Sequence, residues 1–242
     1  MMTCVRPMPS PTHNGAFTLL IDADDTLWEN NIYFERVIAR FFEDFSGHAP
    51  EALRQTLDDV EREIVLSHGY GLAAFEHALV RTWEQLSGSL PGPAREAEVR
   101  ALARSVNQHP MELLPGVPET LSYLAARHSL ILMSKGDPGE QSAKLDRSGL
   151  RHHFSAMEIV PEKDADAYRD TLARHKLAPL STWMIGNSPK SDVNPALAAG
   201  LNAVFVPHDM TWVLEHEHLC PPQAQPPHLL VLERFTELRE HF

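Results

Sequence analysis

Phe17, Thr18, Leu19, Leu20 and Ile21 lead straight into Asp22, and Asp24, Asp25 and Thr26 follow at once. Carboxylates this close repel one another unless something cationic sits among them. The hard cation that suits an all-oxygen site is Mg²⁺. The apolar run predicts a strand, and ligands of open α/β sheets bind at the C-terminal ends of strands. Such residues suit phosphoryl transfer: one carboxylate attacks phosphorus and a neighbour handles the leaving-group proton. The simpler reading of the same residues is an acidic turn that caps the next helix. The rest of the chain decides between them.

Asp22-Ala23-Asp24-Asp25-Thr26 resembles the first motif, D-x-D-x-T, of the haloacid dehalogenase superfamily. The superfamily's later motifs can be sought in order. Ile131-Leu132-Met133-Ser134 is an apolar strand ending on a hydroxyl, like the second motif. Lys163 lies where the third-motif lysine falls, and Gly186-Asn187-Ser188-Pro189-Lys190-Ser191-Asp192 is similar to the fourth, G-D-x-x-x-x-D. Pro195 to Gly200 and then Ala203 to Val206 match the helix, glycine and strand that follow. The resemblance covers roughly residues 16 to 210, and four motifs in order are specific where one alone is weak.

The resemblance implies a Mg²⁺-dependent hydrolase acting on a small phosphorylated metabolite. Asp22 would be the nucleophile and Asp24 the general acid and base. Ser134 and Lys163 would bind and neutralise the transferring phosphoryl group. The metal would be held by the Asp22 carboxylate, the Asp24 carbonyl, and Asn187 and Asp192 of the fourth motif. Two positions depart from the pattern. Asn187 replaces the first acid of the fourth motif, which implies weaker metal affinity, and Lys135 stands where the family commonly has Asn. Lys135 is a candidate phosphate contact through its side chain or its backbone N–H. Asp25 occupies a frequent glycine position and is expected to support the loop. Asp24 favours phosphate ester hydrolysis over dehalogenation, because a halide leaves without a proton. A phosphonatase would use a cap lysine, and residues 31 to 107 contain none. A phosphomutase, a haloacid dehalogenase and a non-catalytic phospho-ligand-binding regulator on the same scaffold remain as alternatives.

The elements that position these residues read as α/β, a Rossmann-like parallel sheet with helices on both faces. Strand-like runs fall at Phe17–Ile21, Leu130–Met133, Ala156–Val160, Trp183–Ile185 and Ala203–Val206, with His228–Leu232 a sixth. Helical patterns separate the later ones, which implies parallel βαβ units with their C-terminal ends along one edge. Residues 31 to 107 read instead as an inserted α-helical cap domain. Phe34, Val37, Ile38, Phe41, Phe42 and Phe45 step along one helix face, and Leu53, Leu57, Val60 and Ile64 along another. Residues 16–30 and 108–242 would form the core domain, with 1–15 a disordered lead-in. Within the insert, His68 and Tyr70 lie in a glycine-flanked break and are candidate substrate contacts; an ordinary helix end would look the same.

The chain has 242 residues, 43% of them apolar, enough for a substantial core. Its formal net charge of −12 argues against nucleic acid as a partner, which needs a basic footprint. No apolar run reaches the length of a membrane span. The lead-in has three prolines and no apolar stretch, unlike a secretory signal. Two cysteines, Cys4 and Cys220, make a structural disulfide unexpected and a cytoplasmic location the expectation. The His152-His153 and His216/His218 pairs lack zinc-site spacing and read as solvated surface. The sequence leaves oligomeric state open.

Overall fold

The computed structural model describes residues 15–223 and 226–242, so nearly all of the lead-in lies outside the described residues. Six strands form one sheet: β1 (Thr18–Ile21), β2 (Ser129–Lys135), β3 (Ala156–Val160), β4 (Thr182–Gly186), β5 (Asn202–Phe205) and β6 (Leu229–Val231). Their order is β3-β2-β1-β4-β5-β6, and every pairing is parallel. The expected sheet is therefore present, with strand ends shifted by a residue or two.

Alternation along the strands shows why the sheet needs cover on both faces. Leu19, Ile21, Leu130, Leu132, Trp183 and Ile185 pack with Val117, Leu121, Leu124 and Leu145 in one buried cluster. The residues between them, Leu20, Ile131, Met133 and Met184, pack with Tyr168, Leu172 and Ala196 in another. A strand with both faces apolar is stable only when helices cover both sides.

Four helices lie between β1 and β2 before the first sheet-covering helix: α1 (Asn31–Phe42), α2 (Pro50–His68), α3 (Leu72–Ser87) and α4 (Pro93–Arg104). They bury a hydrophobic cluster of their own, including Val37, Phe41, Leu57, Val60, Phe75, Leu79, Val99 and Ala103, distinct from the clusters of the sheet. Within the phenylalanine stripe Phe41 is fully buried and Phe45 nearly so, while Phe34 and Phe42 pack partly buried against this cluster and Phe34 also lines the cavity described below. The chain leaves and re-enters the sheet through paired connections. Glu29 N donates to Glu112 O and Leu114 N to Leu27 O. The sheet's faces are covered by α5 (Val117–Ala125), α6 (Pro138–Ser148), α7 (Ala165–His175) and α8 (Asn194–Ala198). The C-terminal stretch ends in a 3₁₀ segment, Phe235–Glu240, whose Phe235 and Leu238 join the first cluster.

Candidate active site

β1 and β4 are neighbours, and the chain goes opposite ways from them, toward β2 and toward β5. The C-terminal ends at such a switch point open a crevice. Asp22 follows β1 and Asn187 follows β4, and the Asp22 N–H donates to Ile185 O at 2.9 Å, pinning the first motif to the neighbouring strand. A cavity of about 210 Å³ runs from this edge toward α1, α2 and α3. Asp22, Asp24, Ser134, Lys135, Lys163, Asn187 and Asp192 line it, as does Tyr70 from the insert. His68 does not: it is exposed at the end of α2, bonded to Ser67 Oγ, with its ring tilted against that of His77. Its side chain falls on the outer side of the helix end, whereas the turn through Gly69 and Gly71, at φ 74° and 109°, carries Tyr70 inward.

Lys163 is buried between two acids. Its ammonium donates to Asp22 Oδ1 and, at 2.7 Å, to Asp192 Oδ1. Burial pushes the Asp22 carboxyl up to about 7 against the pull of Lys163, with Asp192 and Asp24 adding to the rise. Burial alone would lower the Lys163 ammonium, but Asp192 and Asp22 outweigh it and hold it above its ordinary value. Thr26 Oγ1 lies 3.0 Å from Asp22 Oδ2 and 3.2 Å from Asn187 Oδ1, linking the first and fourth motifs. Gly186 is required here by space: a Cβ would stand 2.2 Å from Asp192 Oδ2. Ser134 is buried on the cavity wall, and its hydroxyl has no protein partner among the described residues.

Asp24 is held differently. Trp28 Nε1 donates to it at 2.8 Å, Gln141 Nε2 at 2.9 Å, and Lys144 Nζ at 2.9 Å to each oxygen. Burial would raise this carboxyl, yet Lys144, Gln141 and Trp28 together hold it below its ordinary value. Its carboxylate thus faces α6, leaving only its backbone carbonyl for the metal role the motif implies. Asp25 supports the loop as expected: at φ 60° it accepts from the N–H groups of Asn30 and Asn31, capping α1. Burial raises its carboxyl to about 7.

Lys135 is tied up in a third group. It donates to Glu215 Oε1 at 2.6 Å, to Ser191 Oγ at 2.9 Å and to Glu162 at 3.2 Å, and it lies 4.1 Å from the Tyr70 ring centre. Glu215 also accepts from Ser188 at 2.7 Å; despite its burial, Lys135 and these hydroxyls bring its carboxyl down to about 2. Tyr70 spans the two parts of the chain, donating to Glu162 Oε2 at 2.5 Å. Trp28, Gln141, Lys144 and Glu215 escaped sequence reasoning. Three of them carry no motif, and Glu215 ends a short 3₁₀ turn, Val213–Glu215, where only tertiary contacts reveal a partner.

The oxygen donors of Asp22, Asp192 and Asn187 suit a hard divalent cation. Asp22 and Asp192 share the single Lys163 ammonium, which leaves negative charge that such a cation would offset. A separate grouping, Asp25, Glu29 and His208, brings ligand atoms within 4.8 Å of one another, with His208 Nε2 3.3 Å from Glu29.

The haloacid dehalogenase-like hydrolase family model matches residues 18–200, and a HAD-hydrolase-like model matches 163–238. The chain belongs to the haloacid dehalogenase-like hydrolases. It is 33% identical over 141 residues to the phosphoserine phosphatase of Thermus thermophilus, a match covering 54% of each protein. The chain thus spans about half the length of that relative. A haloacid dehalogenase-like family hydrolase from Xanthomonas campestris superposes with a TM-score of 0.80 at 28% identity, covering 96% of this chain and 93% of that one. The L-2-haloacid dehalogenase of Xanthobacter autotrophicus shares the fold at a TM-score of 0.63 and 16% identity, covering 93% and 97%. Among the described residues no helix is long and apolar enough to cross a membrane.

Proposed function

We propose that this hydrolase cleaves a small phosphate monoester through an aspartyl-phosphate on Asp22, with Mg²⁺ as cofactor. The observation that carries the reading is the presence of Asp24, a second carboxyl on the cavity wall two residues after Asp22. A halide needs no proton to leave, so a second acid beside the nucleophile is superfluous in dehalogenation. An alkoxide leaving phosphorus needs one. The partial match to a phosphoserine phosphatase supports the same branch.

In this mechanism an Asp22 oxygen attacks phosphorus as the ester oxygen departs. Lys163, hydrogen-bonded to Asp22, holds the nucleophile in place and offsets charge on the phosphoryl oxygens. The free Ser134 hydroxyl donates to one of those oxygens. Asp24 protonates the leaving oxygen, then takes a proton from the water that hydrolyses the aspartyl-phosphate. In the resting site Lys144, Gln141 and Trp28 hold Asp24 ionised, ready for the second role. The proton for the first therefore arrives with the ester. Asp22, the Asp24 carbonyl, Asn187 and Asp192 would hold Mg²⁺, which when bound neutralises charge between nucleophile and phosphate. Residues 16–30 and 108–242 act as the core domain and 31–107 as a cap that shields the site from water.

Chelation with EDTA should abolish release of phosphate from an aryl phosphate, and added Mg²⁺ should restore it. Full activity in chelator would remove the metal from the mechanism.

A further inference from the structure

Glu61 projects from α2 onto the cavity wall and plays no part in the chemistry above. It is only 6% exposed. One carboxylate oxygen, Oε2, accepts from Trp212 Nε1 at 3.0 Å. The other has neither a hydrogen-bond nor an ion-pair partner among the described residues. The nearby Arg54 directs its hydrogen bonds to Glu35 and Asp58. The lysines of the cavity are equally committed: Lys135 to Glu215, Lys144 to Asp24 and Lys163 to Asp22 and Asp192. Of the other basic side chains on the wall, Arg147 is exposed on α6 and His109 stacks on Tyr33.

A buried carboxylate with an open oxygen and no ion-pair partner is costly; Arg54, bonded to Glu35 and Asp58, acts on it only at a distance, and burial pushes it up to about 7. A neutral donor would satisfy the oxygen but not the charge. The surroundings also favour an organic cation over a sugar. Ile64, Val65, Leu72 and Phe75 line the same cavity, and their side chains offer nothing to hydroxyls. The Trp212 and Tyr70 rings stand edge to face, 6.2 Å apart; Lys135 already lies over the Tyr70 ring, and the face of Trp212 can attract an ammonium group. Glu61 is moreover tied to the candidate chemistry: Asn187 Nδ2 donates to Thr211 Oγ1 at 2.9 Å, and the next residue is Trp212. The space, about 210 Å³ for phosphoryl group and alcohol together, is small. For scale, an apolar cavity of roughly 150 Å³ accepts benzene.

We propose that Glu61 is a specificity-determining residue that receives the ammonium group of a short amino-alcohol phosphate, beside the rings of Trp212 and Tyr70. As a statement about substrate it rests on the phosphatase reading; as a statement about binding it does not.

The test uses the whole chain and two non-hydrolysable probes of equal length, 3-aminopropylphosphonate and butylphosphonate. Titration calorimetry with Mg²⁺ should show the amino compound binding at least about tenfold tighter, as a charge-assisted hydrogen bond in a buried site implies. E61Q, which retains an acceptor for Trp212, should lose that preference. E63Q, on the exposed side of the same helix, should keep it. In turnover, the kcat/KM ratio of 2-aminoethyl phosphate to propyl phosphate should follow the same pattern. Equal binding of the two phosphonates by the unaltered protein, or a preference that survives in E61Q, overturns the proposal, and the first of these results stands even if E61Q fails to fold. No turnover of any phosphate ester, with the aminophosphonate preference intact, would overturn the phosphatase reading while leaving the ammonium subsite standing.

Discussion

Replacing Glu61 by Gln should stabilise the protein at alkaline pH and leave it nearly unchanged at acid pH. In the native protein burial raises this carboxyl from an ordinary 4.5 to about 7; the Trp212 indole and Arg54 pull the other way without overcoming it. In the unfolded chain the same carboxyl ionises near its ordinary value. Between those two pH values the native state therefore holds a proton that the unfolded state releases. Stability from this position falls as pH rises through that window and stays low above it. A tenfold change in proton affinity is worth about 1.4 kcal/mol, so the full effect is roughly 3 kcal/mol. The residue is only 6% exposed, so solvent screening removes little of it. Gln cannot titrate, yet it can accept from Trp212. Melts of the two proteins at about pH 4.5 and pH 8 should show E61Q gaining on the unaltered chain by on the order of 6–12 °C at the higher pH. Asp22 and Asp25, also raised to about 7, impose their own fall on both proteins, so only the difference between the two is read. A pH-independent difference, or an E61Q that is the less stable at pH 8, would refute the uncompensated carboxylate.

Asp22→Asn should abolish turnover, and beryllium fluoride should bind at Asp22 in a crystal of the unaltered protein; fluoride density elsewhere would displace Asp22 as nucleophile. Asp24→Asn should slow alkyl phosphates far more than aryl phosphates, whose leaving groups need less help from an acid, and equal losses on both would remove Asp24 as the acid. Gly186→Ala should destabilise the fold by about 1–3 kcal/mol, since a Cβ 2.2 Å from Asp192 Oδ2 forces that carboxylate off Lys163; an unchanged melting temperature would show the turn can yield. Tyr70→Ala should alter relative kcat/KM among phosphate esters, while His68→Ala, exposed and off the cavity, should not; a shifted preference in the latter would restore His68 as a substrate contact.

The parts of the molecule legible in the sequence are those whose cause is local. Leu19, Leu20 and Ile21 announce a strand because consecutive apolar side chains must point to opposite, covered faces, and each finds its cluster. The steps of Phe34 to Phe45 announce a helix face because a period near 3.6 is a matter of backbone geometry alone. The order of Asp22, Ser134, Lys163 and Asn187 places four side chains at one sheet edge, since parallel crossovers leave little freedom there.

The parts that stayed hidden depend on residues far apart in the chain. Asp24 and Lys144 are 120 positions apart, and Glu61 and Trp212 are separated by 151. Neither pair leaves a periodic trace. Yet these contacts govern what the shared residues can do. Asp22 and Asp24 stand two residues apart with the same ordinary acidity, and the fold separates them: Asp22, buried among other acids, is pushed up to about 7, while Asp24 is drawn below its ordinary value by donors from α6 and Trp28. The motif supplies two interchangeable carboxylates, and it is α6, through Gln141 and Lys144, that makes them different. A family member with the same motif but an apolar residue in place of Lys144 would carry the same signature and a different second acid. Reading function within this family therefore requires the helix after β2 as much as the acids after β1.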